Sequence, residues 1–275
     1  DYAEKFRSMY EHYEFEGESY LPHGSLTVSI GIASLTPKVE NMKALINNAD
    51  EALYRAKFLR RNTTEIFKSF ADELSNYITD LDGKEIFTTI KTLIAVINSK
   101  DMYTYRHSDG VFHYCEAFAD FLRLGPERKK TLVTAAYMHD IGKINISKDI
   151  LLKPSGLTEQ EFKDIRSHPD MGADIIQNIP ELEEECQIVR QHHERYDGNG
   201  YPRKLKGEEI CYLARILTIA DCYEAMTSKR PYKQVMTSDE AKAEILRCSG
   251  TQFDPVLAEK FVEFLDSVSS AQGQA

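Results

Sequence analysis

Leu132-Val133-Thr134-Ala135-Ala136-Tyr137-Met138-His139-Asp140-Ile141-Gly142-Lys143 is the stretch on which the reading of this chain turns. Leu132, Ala135, Ala136 and Met138 continue a helical apolar pattern, and a histidine and an aspartate cap it. Neighbouring helical residues diverge by about 100°, so an adjacent His and Asp grip a metal site from two directions. Imidazole suits iron, manganese or zinc, and a carboxylate can bridge two cations. Gly142 lets the backbone approach closely, and Lys143 can place a point charge on a phosphate. The plain alternative is a helix end with a polar cap.

Downstream, nearly everything reads as helix. Upstream of it, Ile86, Ile90, Leu93, Ile94 and Ile97 recur at helical spacing, and Phe118, Phe121 and Leu122 continue the pattern. Loops fall at Gly125-Pro126, at Lys153-Pro154-Ser155-Gly156 and at Asp197-Gly198-Asn199-Gly200. The start of the chain differs. Asp1 to about Tyr20 reads as a helix end, and Leu26 to Ala33 alternates apolar and small polar residues as a strand does. Ala44 to Arg60 reads as a helix, with basic residues gathered at its C-terminal end. Thr63 to about Asp80 reads as another helix, broken at Asp82-Gly83. One strand cannot make a stable sheet, so Leu26–Ala33 needs partners. The expected fold is mainly α, an all-helical domain preceded by a partial α/β segment and a helical linker. The expected boundaries are 1–62, a linker 63–85, the helical domain 86–268 and a disordered tail 269–275.

Two further elements carry chemistry. His192-His193-Glu194-Arg195-Tyr196-Asp197-Gly198-Asn199-Gly200-Tyr201-Pro202 places adjacent histidines before a glycine-rich loop able to fold tightly over a pocket. Two solvated histidines on a surface turn is the rival reading. Arg215-Ile216-Leu217-Thr218-Ile219-Ala220-Asp221 ends an apolar helix on an aspartate that needs a cation or donors, with a buried salt bridge to Arg215 as the rival. Ser228-Lys229-Arg230-Pro231-Tyr232-Lys233 is a basic knot in an acidic protein, either a solvated loop or a pair of anion clamps. His107 and His168 are weak individually and gain weight from the order H, HD, H, HH, D. Of the eight histidines, His12, His23 and His113 lack such a setting and read as surface or packing residues.

The net charge of -10, from 34 basic and 44 acidic residues, argues against duplex nucleic acid or an anionic membrane surface as partner. The five cysteines include no CxxC pair and fit free thiols in a reducing cytoplasm. No apolar run approaches the roughly 20 residues that span a bilayer. The first residue is Asp1 rather than Met, so the natural polypeptide is expected to continue upstream.

The segments His139–Lys143, His192–Glu194, Asp197–Pro202, Ala220-Asp221 and Arg230–Lys233 together resemble the HD-GYP family, all-helical members of the HD phosphohydrolase superfamily. The resemblance covers about Ile86 to Leu265. It implies a binuclear or trinuclear centre, often iron or manganese, and hydrolysis of cyclic di-GMP to the linear dinucleotide pGpG and on to GMP. It implies as metal ligands His107, His139, Asp140 (bridging), His168, His192, His193 and Asp221. It implies phosphate contacts from Lys143, Arg230 and Lys233, with Gly200, Tyr201 and Pro202 in the substrate loop. Glu224 departs from the pattern, which often has Asp there. Residues Leu26–Ala33, Asn48–Lys57 and Arg61-Asn62 are similar to the C-terminal third of a GGDEF diguanylate cyclase domain. No Gly-Gly pair occurs, so this segment is expected not to make cyclic di-GMP. GGDEF domains or a second copy of the chain are the expected partners.

The expected reaction is metal-assisted hydrolysis, in which a water shared by two cations bridged by Asp140 becomes hydroxide near neutral pH. Asp140 and Lys143 are the expected catalytic groups. Rivals are an HD hydrolase of another nucleotide or a phosphomonoester, and a non-catalytic cyclic-dinucleotide receptor. The Gly-Tyr-Pro loop argues against the first and the intact HD and HH residues against the second. Two metals are expected rather than three. The position four residues before His107, where some relatives have a third-metal Glu, is Tyr103, and a phenol of pKa about 10 is a poor ligand at neutral pH.

Overall fold

In the computed structural model the described residues are 2–17, 20, 26–36, 39, 41–59, 61–68, 92, 102–151, 153, 155–228 and 235–272. The chain divides into two compact units, residues 1–73 with 264–275, and residues 74–263.

The first unit contains α1 (Tyr2–Glu11), β1 (Ile30–Ile32), α2 (Met42–Leu59) and β2 (Thr64–Ile66). The two strands run parallel, with Ile30 opposite Thr64 and Ile32 opposite Ile66. Helix α2 lies directly on β1 at Gly31, where a Cβ would stand 2.2 Å from the Leu53 nitrogen. Ala52 and Ala56 are buried in the same unit. Arg61 and Asn62 take φ of 44° and 40° to turn α2 into β2, and the Asn62 amide donates to Glu11 of α1 at 2.7 Å. Two expectations change. The strand Leu26–Ala33 contracts to Ile30–Ile32, because β2 offers only three residues to pair with. Thr64–Ile66, read as the start of a helix, is instead that partner. Residues 69–85 of the expected linker and the apolar series Ile86 to Ile97 lie outside the described residues.

The second unit is helical: α3 (Met102–Phe121), α4 (Pro126–Met138), a 3₁₀ turn (Ile141–Asn145), α5 (Lys148–Leu151), α6 (Glu159–Arg166), α7 (His168–Ile176), α8 (Glu183–Gln191), α9 (Tyr212–Thr227), α10 (Ser238–Arg247) and the first half of α11 (Pro255–Gln272), whose residues from 264 on are counted with the first unit. Helices α6 and α10 start on reciprocal caps, Thr158 with Glu161 and Thr237 with Glu240. Asp254 caps α11 by accepting from the amides of Val256 and Leu257 at 2.9 and 3.1 Å. Phe118 and Tyr223 set their ring edges against Phe261 at 4.9 and 5.4 Å, and Leu132, Met138, Ile176 and Ile188 are fully enclosed. The expected disordered tail is helical through Gln272. Small residues tolerate that conformation, and the hydroxyls of Ser267 and Ser269 bond back to the carbonyls of Phe264 and Leu265. Among the described residues no helix is long and apolar enough to cross a membrane.

Candidate metal centre

Helix α4 ends at Met138, so His139 and Asp140 occupy the turn between α4 and the 3₁₀ turn rather than a continuous helix. The last turn of a helix leaves carbonyls without intrahelical partners. Three histidines exploit this identically. The Nδ1 of His139 lies 2.7 Å from the Ala136 oxygen, that of His168 2.7 Å from the Ile165 oxygen, and that of His192 2.6 Å from the Val189 oxygen. A carbonyl only accepts, so each Nδ1 carries the hydrogen and each Nε2 presents its lone pair.

Those lone pairs converge. The Nε2 atoms of His168 and His192 stand 3.2 Å apart. Burial keeps His168 neutral, its pKa lowered to about 3, and holds His192 well below its usual range. The Nε2 of His139 is buried with no hydrogen-bond partner. Burial likewise lowers His193 to about 4. Facing lone pairs with no proton between them repel, and a cation resolves them. This donor set of imidazoles and carboxylates therefore fits a transition metal.

The carboxylates complete two groups. Asp140 Oδ1 is 3.3 Å from His168 Nε2, while Oδ2 is 3.4 Å from His139 Nε2 and 2.6 Å from Lys143 Nζ. One carboxyl thus faces both halves of the cluster. Burial opposes its ionisation, but the charge of Lys143, with the neighbouring imidazoles, prevails and holds it well below the usual range. His107, on α3, bonds Asp221 of α9 through Nε2 at 2.9 Å and Glu224 through Nδ1. Burial works against its protonation, yet the two carboxylates raise its pKa to about 9. Potential ligand atoms of His168, His192 and His193 lie within 4.8 Å of one another, as do those of His107, His139 and Asp140. The His107 and His139 rings are 5.5 Å apart, and those of His139 and His192 5.2 Å.

All seven residues read from sequence as ligands therefore meet at one place. The rival pairing of Asp221 with Arg215 does not form, because Arg215 pairs with Asp254. Gly142 is needed for a close approach, but by α7: a Cβ there would stand 2.0 Å from the His168 oxygen. Lys143 contacts Asp140. Arg230 and Lys233 lie outside the described residues, as do the side chain of Tyr103 and all of His23. His12 bonds the Ser8 carbonyl at 2.7 Å, and His113 is buried 3.6 Å from Asp109.

Two residues of the site carried no role in the sequence reading. Glu224 is buried, accepts from His107 and Ser228, and fills the space left by Gly110. Its position three residues after Asp221 puts it on the same helix face, which is the signal that would have found it. Glu194, also buried, accepts from the amides of Arg203 and Leu205 at 2.6 and 3.1 Å and so anchors the glycine-rich loop. Within that loop Tyr201 stacks on His193, ring centres 4.9 Å apart, and a Cβ at Gly200 would stand 2.3 Å from the Arg195 nitrogen.

Fold and site define a mainly α protein built around a histidine–carboxylate cluster suited to metal. The family model described as HD domain matches residues 91–257, and that of the diguanylate cyclase GGDEF domain matches residues 1–63. The chain belongs to the HD-domain family and carries the sequence motifs of its HD-GYP members, and its residues 1–63 are similar to the GGDEF domain. It is 34% identical over 215 residues to a cyclic di-GMP phosphodiesterase of Thermotoga maritima, covering 77% of this chain and 57% of that protein. It is 36% identical to a 3'3'-cGAMP-specific phosphodiesterase of Vibrio cholerae, covering 58% and 37%. The chain thus spans little more than half the length of one of these relatives and less of the other. An HDG"Y"P protein from Bdellovibrio bacteriovorus has the same fold at 16% identity, with a TM-score of 0.52 over 71% of this chain and 68% of that one.

Proposed function

We propose that this chain hydrolyses cyclic di-GMP to pGpG, GMP or both at a centre of two divalent cations, iron or manganese. His107, His139, Asp140, His168, His192, His193 and Asp221 would hold them. The observation that carries this reading is the set of three buried imidazoles, each fixed at Nδ1 by a helix-end carbonyl and open at Nε2. Asp140, facing both groups, is the natural bridge. Bound cations would supply an activated water and neutralise charge on a phosphodiester. The protein's own part is to fix ring orientation, enclose the reacting phosphate and add positive charge. Lys143, Arg230 and Lys233 serve as the phosphate contacts, and Gly200, Tyr201 and Pro202 form the loop over the substrate. The substrate is supported by the Thermotoga maritima relative and by the GGDEF match of residues 1–63. GGDEF domains or a second copy of the chain are the partners this arrangement suits, in the cytoplasm where the dinucleotide is made. The Vibrio cholerae relative makes 3'3'-cGAMP the competing substrate.

The test is elemental analysis of protein from iron-rich or manganese-rich medium, with turnover of both cyclic dinucleotides. About two metals per chain and preference for cyclic di-GMP are expected. Asp140→Asn removes the charge that holds two cations while sparing α4. Loss of turnover with the fold retained is expected, and near-normal activity in that variant would overturn the assignment.

A further inference from the structure

Arg166 ends α6, two residues before His168, and is exposed. Its guanidinium lies 4.4 Å from the centre of the Phe162 ring and 5.2 Å from that of Tyr201. Tyr201 in turn stacks on His193. A continuous stack, Phe162, Arg166, Tyr201, His193, therefore runs from the surface into the histidine cluster. The phenol of Tyr201 registers both ends of it. Burial is the main reason its pKa is pushed up, with Asp221 and Asp140 adding to the rise and Arg166 opposing it.

The neighbouring arginines are neutralised. Arg190 pairs with Asp170 and Asp174, Arg195 with Asp197, Arg203 with Asp170 and Arg215 with Asp254. Among the described residues Arg166 has no carboxylate partner and no hydrogen bond. Its guanidinium is held over two aromatic rings, neither of which accepts from its fork of N–H donors as a carboxylate would. Such an arrangement suits a phosphate, which accepts a pair of parallel N–H donors.

A cyclic dinucleotide carries two phosphodiesters, and one cluster of metal ligands can act on one of them at a time. We propose that Arg166 binds the second, non-scissile phosphate of the substrate at the rim of the metal centre, with Tyr201 and Phe162 holding its guanidinium in place. This rests on the cyclic-dinucleotide reading above. It gives the loop a role in recognition: Tyr201 presents an arginine from another element to the substrate.

The experiment compares wild type with Arg166→Lys, Arg166→Met and Arg166→Ala on two substrates, cyclic di-GMP and bis(4-nitrophenyl) phosphate, which has a single phosphate. For the Met and Ala variants, KM for cyclic di-GMP should rise roughly tenfold or more, with kcat much less affected. The ratio of kcat/KM on cyclic di-GMP to that on the small ester should fall by the same factor, and Arg166→Lys should recover part of it. Metal content should equal that of wild type. A wild-type ratio in Arg166→Met, which keeps bulk against Tyr201 without charge, would overturn the proposal and leave a packing role. So would a parallel fall on both substrates, which would mean that the side chain acts by shaping the centre. Failure of the wild-type protein to turn over cyclic di-GMP while hydrolysing the small ester would instead remove the underlying reading, and the proposal with it.

Discussion

The ring of His107 has two nitrogens and two carboxylates to satisfy them, Asp221 at Nε2 and Glu224 at Nδ1. Outer carboxylates of this kind orient a ligating ring and raise its basicity, and their loss costs about 10–100-fold in metal affinity or activity. Glu224→Ala leaves a buried Nδ1–H without an acceptor and opens space beside Gly110. Metal affinity, measured by competition with a chelator, should fall by a factor in that range, while Glu224→Gln, which keeps an acceptor, should lose less. Unchanged affinity in Glu224→Ala would reduce the residue to packing. Glu224 also marks how far single residues were legible. Adjacent His139-Asp140 and His192-His193 stand out because such pairs have little use in a plain helix. Glu224 does not, because a helical glutamate ordinarily faces water. Its role depends on His107, which lies far away in sequence and close in space. The same holds for Arg215, whose choice of Asp254 over Asp221 is set by packing that no local pattern encodes.

At the level of elements, the junction of the 3₁₀ turn with α7 is the tightest part of the site. Gly142 lies against the backbone of His168 and Gly172, so a methyl there meets main chain that cannot rotate away. Gly142→Ala should destabilise the protein by about 1–3 kcal/mol through overpacking, and should weaken metal binding because His168 must move. Chemical denaturation together with a metal titration checks both, and a variant with wild-type midpoint and affinity would show that α7 is free to shift. Helices carrying a clear 3.6-residue pattern were readable, as the near agreement of Ala44–Arg60 with Met42–Leu59 shows. Strand β2 was not. Its three residues are too few for a period of two to register, and in the sequence Ile66 falls into helical spacing with Phe70, Leu74 and Ile78. Its partner lies in β1, across the whole of α2, and pairing at that distance leaves no trace in a local window. The tail was misread for the opposite reason. Small polar residues suggest disorder by composition, but nothing in Ser269–Gln272 forbids the helix begun at Pro255 from continuing.

For the whole molecule, the titratable groups predict how stability depends on pH once metal is removed. Burial lowers His168 to about 3, His193 to about 4 and His192 well below 6.5. Between pH 6.5 and 4 the unfolded chain therefore takes up protons that the folded chain refuses, and stability falls as pH falls. Glu185 acts in the opposite sense. Burial raises it to about 7 from 4.5, so over much of that window the folded state holds a proton the unfolded state has lost. Three histidines against one glutamate leave a net of two protons, a slope of about 2.7 kcal/mol per pH unit at its steepest. On the alkaline side His107 governs. Its raised value of about 9 contributes stability that is complete below 6.5 and lost as pH rises through 9. Its single proton gives about half the acid slope. Chelator-treated protein should thus be most stable near pH 6.5, with a steep acid limb and a shallower alkaline one. Melting temperatures between pH 4.5 and 9 test this, and a flat profile from 4.5 to 6.5 would show that the histidine cluster is solvated rather than buried. Saturating manganese should raise the melting temperature at pH 7 by mass action. The rise should shrink toward pH 5, where protons compete for the same nitrogens. An increment independent of pH would mean that the stabilising cation binds carboxylates elsewhere on this acidic chain and not the imidazoles assigned to it.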